Sequence, residues 1–210
     1  GKSTLTNLLM RQFDATTGQV LVDGIKIDEL EIGNYRSQVG YIPQDNFLFS
    51  DTILNNVLWG GQNHEEDLDQ VKKVTEIADL YKDIQGFEKG FETVLGERGI
   101  TLSGGQKQRL SIARAIYGNP HLLVFDDSFS AVDTHTEAAI LQGLASLIQN
   151  RTTVLVSHRV STVKNANHII VLDAGRIIEQ GSHESLIVNK GYYYSLYKKQ
   201  LLEKELNTSE

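Results

Sequence analysis

Leu102-Ser103-Gly104-Gly105-Gln106 is the stretch of sequence that decides the fold. The serine and the two glycines precede a segment of helical periodicity, and we predict that a helix begins near Gln106. Such a helix start presents free backbone N–H groups and the positive end of the helix dipole to an anion. Further along, the apolar run Leu122-Leu123-Val124-Phe125 ends in Asp126-Asp127. A phosphate-binding helix start followed by a strand that ends in acids indicates a nucleotide site.

The composition is that of an ordinary globular domain. The 210 residues are 40% hydrophobic and 22% charged, which suffices for one good-sized domain with a core. The net charge of −7 argues against a broad electrostatic contact with nucleic acid. The chain has no cysteine, which excludes disulfides and thiolate metal sites. Its apolar runs are shorter than the roughly 20 residues of a membrane helix, and no signal peptide precedes Gly1. We therefore expect any link to a membrane to come from a part of the protein outside this sequence.

Strand-like and helix-like segments alternate along most of the chain. This order predicts an α/β fold with a mainly parallel sheet flanked by helices. Residues 51–104 are instead helical, acidic and lysine-bearing, which indicates a helical subdomain inserted into an α/β core of residues 1–50 and 105–190. Residues 191–210 are expected to form a C-terminal helix and tail. The predicted strands are 39–42, 122–125 and 153–156; the predicted hairpins pair 19–22 with 25–27 and 169–172 with 176–180; the predicted internal helices are 52–57, 65–81, 106–117 and 134–148.

The chain opens on a fragment of a phosphate-binding motif. Gly1-Lys2-Ser3 matches the last three positions of G-x-x-x-x-G-K-[ST], and Thr4 follows. The first five positions of that motif are expected to lie before residue 1. Taken alone, the same residues also suit an ordinary helix start with Ser3 as its cap.

Polar side chains follow three predicted strands. Asp126 and Asp127 come after strand 122–125, where a P-loop nucleotide site needs an acid for Mg²⁺. Gln44 follows strand 39–42 and offers an amide oxygen to Mg²⁺ or to the attacking water. His158 follows strand 153–156 and could donate to a γ-phosphate. Each of these also has a simpler interpretation: a solvated turn for the acids, and ordinary loop positions for Gln44 and His158.

The order and spacing of these motifs together closely resemble those of an ATP-binding cassette (ABC) ATPase. The run Leu102–Arg109, Leu-Ser-Gly-Gly-Gln-Lys-Gln-Arg, is nearly diagnostic of that family, and the resemblance covers essentially the whole chain. It implies a P-loop NTPase-type fold that binds ATP and Mg²⁺. The segments 47–53 and 96–99 look like those of the exporter branch, in which Gly96-Glu97-Arg98-Gly99 lies near the coupling helices of the transmembrane domain. The ending Gly181–Leu186 followed by a terminal helix is similar to that of bacterial multidrug and lipid exporters.

The resemblance also implies a role for each motif residue. Lys2 would contact the β- and γ-phosphates, and Asp127 would stand at the position of the residue that polarises the attacking water. Catalytic roles are expected for Asp127, His158 and Gln44; Mg²⁺ contacts for Ser3, Gln44 and Asp126; and nucleotide contacts for Gly1, Lys2, Ser3, Thr4, Leu102, Ser103, Gly104, Gly105, Gln106, Asp126 and Asp133.

In this family two cassettes face each other head to tail. Ser103, Gly104 and Gly105 would therefore contact ATP held by the partner cassette, and Asp133 would lie in the loop that crosses the interface. The resemblance implies a transmembrane domain in the same polypeptide, a position on the cytoplasmic face of the cell membrane, and no nucleic-acid partner. Two alternatives stay open: a soluble ABC-type ATPase, and a non-catalytic module that dimerises on ATP. The exporter-like segments favour the transporter over the soluble ATPase.

Asp127 departs from the family pattern, because hydrolytic members usually carry glutamate there. Aspartate is one methylene shorter, which sets the carboxylate back by about 1.5 Å. A misplacement of about 1 Å can lower a rate on the order of 10²-fold. We therefore expect this chain to be the degenerate-site half of a heterodimeric exporter, although a homodimer stays possible. The 210 residues alone are expected to bind ATP poorly and not to turn it over.

Overall fold

A three-stranded parallel sheet forms the centre of the molecule. The computed structural model describes residues 1–61, 67–96 and 101–208. Within it, β3 (Val39–Ile42), β4 (Leu122–Asp126) and β5 (Thr152–Val156) lie in the order β3-β4-β5. In β4, Leu123, Val124 and Phe125 are fully buried, as expected for a central parallel strand. The three predicted strands are confirmed, two of them one residue longer than expected.

Helices pack closely on this sheet. The first helix, α1 (Lys2–Leu9), packs against β4, and the longer α6 (Gly104–Tyr117) packs against β3. A Cβ atom added to Gly40 of β3 would lie 2.5 Å from the carbonyl oxygen of Ala115 in α6. Glycine at this position therefore allows the helix backbone to approach the strand. The α/β fold class is confirmed.

The described residues between 53 and 86 form the helices α3 (Ile53–Leu58), α4 (Leu68–Ile77) and α5 (Tyr81–Gly86). Helices α3 and α4 pack directly on α6, and α5 packs on α4. The prediction of one continuous helix over 65–81 is wrong between Ile77 and Tyr81, because Asp79 takes a left-handed φ of 54° that ends the helix. Residues 65 and 66 of that prediction lie outside the described residues. The division of the chain into an α/β core and a helical subdomain stays a prediction.

The chain also contains two hairpins and a second hydrophobic cluster in its C-terminal part. Both predicted hairpins are confirmed, and the second turns at Ala174 and Gly175, whose φ values are positive. A second hydrophobic cluster joins Val160, Ile169, Leu186 and Tyr193. No described helix is long and apolar enough to cross a membrane. The remaining elements are β1 (Leu21–Val22), β2 (Ile25–Lys26), α2 (Ile32–Ser37), α7 (Thr134–Ile148), α8 (Val160–Val163), β6 (Ile169–Asp173), β7 (Arg176–Gly181), α9 (His183–Asn189) and α10 (Tyr192–Thr208).

Candidate nucleotide-binding site

The carboxyl ends of β4 and β5 bring Asp127 and His158 together. Asp126 pairs with Val156 across the two strands, and the Asp127 backbone N–H donates to the Val156 carbonyl at 2.9 Å. Asp127 takes a positive φ of 49°, so the chain turns sharply where β4 ends. His158 Nε2 then lies 3.8 Å from Asp127 Oδ2. The register of the sheet therefore places these two predicted residues side by side.

Lys2 reaches the same edge of the sheet from the start of α1. Its Nζ atom lies 3.0 Å and 3.2 Å from the two ring nitrogens of His158, and it donates to the one that carries no proton. Burial lowers the pKa of Lys2, while the carboxylates of Asp127 and Asp126 oppose that shift. The His158 side chain is 72% exposed, so the cluster is open to solvent. An ammonium group, an imidazole and two acids thus converge at one accessible point.

Asp126 is held within the fold rather than solvated. It is 4% exposed, and its Oδ2 accepts from the Thr6 hydroxyl at 2.8 Å. The Tyr41 hydroxyl lies 3.5 Å from the same oxygen; burial and the nearby carboxylate raise the pKa of this tyrosine. The interpretation of the acids as a solvated turn is therefore wrong for Asp126. The sequence reasoning missed Thr6, although its position one turn after Ser3 in α1 is a signal for it.

The oxygen donors at this edge suit a hard cation. The Ser3 hydroxyl, the Gln44 amide and the Asp126 carboxylate are ligand types that Mg²⁺ accepts. Ser3 and Gln44 are exposed, and Gln44 follows the end of β3. Gly1 is the N-cap of α1, so the alternative in which Ser3 is the cap is wrong. Among the described residues no three His, Asp or Glu side chains could enclose a metal. The donor set therefore fits Mg²⁺ that is shared with phosphates rather than held by the protein alone.

Residues 102–106, which we call the signature loop, lead into α6, and a reciprocal pair of hydrogen bonds caps the start of this helix. Ser103 Oγ accepts from the Gln106 backbone N–H at 3.2 Å, and Gln106 Oε1 accepts from the Ser103 N–H at 3.0 Å. The helix begins at Gly104, two residues earlier than predicted, because Ser103 is its cap. Leu102 is buried, and Gln106 Nε2 donates to Asp83 at 2.8 Å. The loop is thus fixed from both sides.

A second surface joins this loop to the segment before α7. Gln108, fully buried, accepts from the Ala131 backbone N–H at 3.1 Å. Asp133 caps α7, and the hydrogen bonds that it accepts from Thr136 and His135 lower its pKa to about 2. Within the described part of the chain, none of the hydrogen bonds of residues 102–106 reaches Lys2, Asp126 or His158. The structure therefore groups the predicted site residues into two separate clusters.

Packing against the described residues does not require glycine at positions 104 and 105. A Cβ atom on Gly104 would lie 3.7 Å from the Ala131 side chain, and one on Gly105 would lie 3.4 Å from the Ala131 carbonyl oxygen. Both are ordinary or nearly ordinary contacts, and neither glycine has a positive φ. Without a Cβ atom, both positions leave the backbone at this helix start open to close approach by another group.

Arg159 links the two clusters and was not anticipated from the sequence. Its Nη1 lies 2.7 Å from Glu137 Oε2 and 3.2 Å from the Val132 carbonyl oxygen. Glu137 is 3% exposed and also accepts from the Thr162 hydroxyl. The residue after His158 thereby binds the loop that ends at Asp133.

Phe47 and Phe49 of the exporter-like segment 47–53 form an aromatic surface with Trp59. Phe49 stacks on Trp59 with centroids 5.0 Å apart, and Phe47 meets Phe49 edge-on. Phe47 is 67% exposed and Trp59 is 51% exposed. The buried guanidinium of Arg114 lies 5.2 Å from the Phe49 ring centroid, and burial lowers its pKa to about 10. The residues Glu97, Arg98 and Gly99 of the predicted exporter segment lie outside the described residues.

Comparison with known proteins identifies the family. The model of the ABC transporter family matches residues 1–130. The ATP-dependent lipid A-core flippase of Paraburkholderia xenovorans is 44% identical over 198 residues, which is 94% of this chain and 33% of that protein. The ABC multidrug transporter MDR5 of Trichophyton rubrum is 46% identical over 211 residues, covering 96% of this chain and 16% of that protein. The solved structure of a bacterial Atm1-family ABC exporter with ATP bound gives a TM-score of 0.90 at 39% identity, covering 96% of this chain and 35% of that chain.

The parallel sheet and the helix that starts at Lys2 define an α/β fold of the P-loop NTPase type. The chain belongs to the ABC transporter family. The proteins named above are a flippase, a multidrug transporter and an exporter, and the chain spans about a third or less of their length.

Proposed function

We propose that this chain is the nucleotide-binding domain of an ABC exporter, which binds and hydrolyses ATP to drive export of a substrate across a membrane. The observation that carries the proposal is the convergence of Lys2, Asp126, Asp127 and His158 at the carboxyl edge of the parallel sheet. This edge is where α/β proteins with open sheets bind their ligands. The similarity to exporters along nearly the whole chain supports the same function.

The residues of the first cluster would divide the work of phosphoryl transfer. Lys2 would hold the β- and γ-phosphates as a point charge, with Gly1, Ser3 and Thr4 at the helix start beside it. Mg²⁺, when bound, neutralises charge that develops on the phosphates. Ser3, Gln44 and Asp126 are the residues that would hold it. The hydrogen bond from Thr6 orients the Asp126 carboxylate for that task.

His158 would donate to the γ-phosphate. Because its ring nitrogens already lie within hydrogen-bonding distance of Lys2, a phosphate placed between the two would replace that contact with two charge-assisted ones. Asp127, 3.8 Å from His158, would stand on the side of the attacking water.

The second cluster would serve ATP held by another cassette. The capped start of α6 presents its backbone N–H groups outward, and Gly104 and Gly105 leave room for a phosphate to approach. Asp133, on the adjoining loop, would then cross the interface. A dimer of cassettes, each completing the other's site, accounts for both clusters. The partner is a second ABC cassette.

The aromatic surface would receive the transmembrane part of the same polypeptide. Phe47, Phe49 and Trp59 expose a continuous apolar patch beside the loop of Gln44. Exposed aromatic patches of this kind mark interaction sites. A contact here would connect the residue expected at Mg²⁺ to the membrane domain, and the chain would lie on the cytoplasmic face of the membrane.

We infer further that the chain forms the slower of two unequal ATP sites. Its catalytic position holds Asp127, whereas its signature residues Ser103, Gly104 and Gly105 are intact. The shorter carboxylate lies back along the chain from where glutamate would place it, by about 1.5 Å. Its partner would carry glutamate and complete a faster site with this chain's signature loop.

The test is ATP turnover by the full-length transporter carrying Asp127→Glu or Asp127→Ala. The expected result is that Asp127→Ala changes turnover less than threefold and that Asp127→Glu raises it, because the faster site lies elsewhere. Asp69→Glu, on the exposed face of α4, is the matched control. A loss with Asp127→Ala as large as that from mutating the partner's catalytic glutamate would sink the unequal-site proposal. Absence of ATP-dependent turnover in the unmodified transporter would refute the ATPase function itself.

A further inference from the structure

The C-terminal helix α10 holds the backbone on both sides of Arg159 through one side chain. Gln200 Oε1 accepts from the Val160 N–H at 2.8 Å, and Gln200 Nε2 donates to the His158 carbonyl oxygen at 2.8 Å. Val160 is the first residue of α8, whose N-cap, Arg159, supplies no side-chain cap. The side-chain amide of Gln200 in α10 therefore accepts from the Val160 N–H, which the start of α8 leaves without a helical partner.

The imidazole of His158 has few restraints of its own. Its ring lies close to the Lys2 ammonium and the Asp127 carboxylate, and its side chain is 72% exposed. Its orientation therefore depends on the backbone that carries it. Two side chains hold that backbone just after the imidazole. Arg159 binds Glu137, and Gln200 donates to the His158 carbonyl oxygen.

The position of Gln200 is itself fixed by the packing of α10. Tyr193 is 3% exposed and packs with Leu186 in the second hydrophobic cluster. Glu179 of β7 accepts from the Tyr193 backbone N–H at 3.0 Å at the start of the helix. Tyr193, Leu196 and Gln200 follow the i, i+3, i+7 spacing of one helix face. The face of α10 that is anchored in the fold is thus the face that presents Gln200.

We propose that Gln200 is a positioning residue for His158, so that α10 forms part of the ATP site without contacting the nucleotide. The inference rests on the proposed role of His158 at the γ-phosphate. Without Gln200, the loop loses two hydrogen bonds and the imidazole loses its fixed direction. The cost falls on the γ-phosphate contact, which ATP has and ADP lacks. Discrimination between the two nucleotides therefore drops, while overall nucleotide binding is retained.

The experiment is photolabelling of this subunit by an azido-ATP in the full-length transporter, competed by ATP and by ADP. The variants are Gln200→Met, which keeps length and helix propensity, and Gln200→Glu, which keeps the acceptor for Val160 but loses the donor. Gln142→Met makes the same change at an exposed position of α7 and is the control. His158→Ala, alone and combined with Gln200→Met, completes a double-mutant cycle. Hydrogen exchange is measured on the peptide that contains Val160.

The expected result is a fall of about 3–10-fold in the ATP-over-ADP preference with Gln200→Met, a smaller fall with Gln200→Glu and none with Gln142→Met. The Val160 peptide should exchange faster, and Gln200→Met should add nothing in the His158→Ala background. An unchanged preference or unchanged exchange in Gln200→Met overturns the inference, as does an equal loss without His158. If His158→Ala alone leaves the preference unchanged, the proposed role of His158 fails and the inference fails with it.

Discussion

Replacing Arg159 by methionine should destabilise the domain by leaving a buried charge unpaired. Glu137 is 3% exposed, and its carboxylate lies 2.7 Å from the guanidinium of Arg159. Removing one partner of a buried ion pair costs about 3–5 kcal/mol. The Arg159 side chain is 34% exposed, so water screens part of the loss and we expect about 2–3 kcal/mol. For a domain of this size, that corresponds to a fall of about 4–12 °C in unfolding temperature.

Scanning calorimetry of the full-length protein measures this change. Adding Glu137→Gln removes the orphaned charge and keeps an acceptor for the Thr162 hydroxyl, so the double variant should recover more than half of the loss. Arg176→Met, at an exposed position of β7, is the matched control and should change stability by less than about 0.5 kcal/mol. The reasoning is refuted if Arg159→Met unfolds at the wild-type temperature, or if the two substitutions are simply additive.

Two further predictions concern backbone geometry and the signature loop, each measured by the same calorimetry. Gly60→Ala should destabilise the domain strongly, because its Cβ atom would overlap the Arg114 carbonyl oxygen, whereas Gly86→Ala, with nothing within 4 Å, should leave stability unchanged or raise it. Equal effects of the two alanines would show that the close approach is not rigid. Ser103→Ala should cost about 1 kcal/mol because it removes the cap that bonds Gln106, while Ser103→Thr keeps the hydroxyl and most of the stability. Equal stability of those two variants would contradict the capping role.

Local pattern was sufficient to predict most of the secondary structure. The apolar run at 122–125 could only be a buried strand, and the Asp23-Gly24 turn required a hairpin, so both were predicted correctly. The helix predicted over 65–81 failed where the apolar pattern continued across Asp79, because a single left-handed residue leaves no periodic signal. The start of α6 was predicted two residues late because glycine is a poor helix former but fits the first turn after a serine cap.

The candidate site was predicted residue by residue, but its supporting contacts were not. Motif spacing indicated Lys2, Asp126 and His158, whose chemistry is visible in their residue types and in their places at strand and helix ends. Thr6 has only its spacing from Ser3 as a signal and Gln200 has none, because threonine and glutamine are common on any helix face. Their partners lie 120 and 42 positions away along the chain, which no local pattern reports.

The sequence alone indicated most of the elements and the candidate residues for the chemistry, because periodicity, turn residues and motif spacing act over a few neighbouring positions. Only the tertiary structure decided how those residues are grouped. The parallel register of β4 and β5 sets Asp127 beside His158, whereas the packing of α6 holds Gln108 against Ala131. The free energies of pairing two strands and of burying a helix face depend on the whole fold. The folded chain, and not the motif, therefore decides that the signature loop lies away from Lys2.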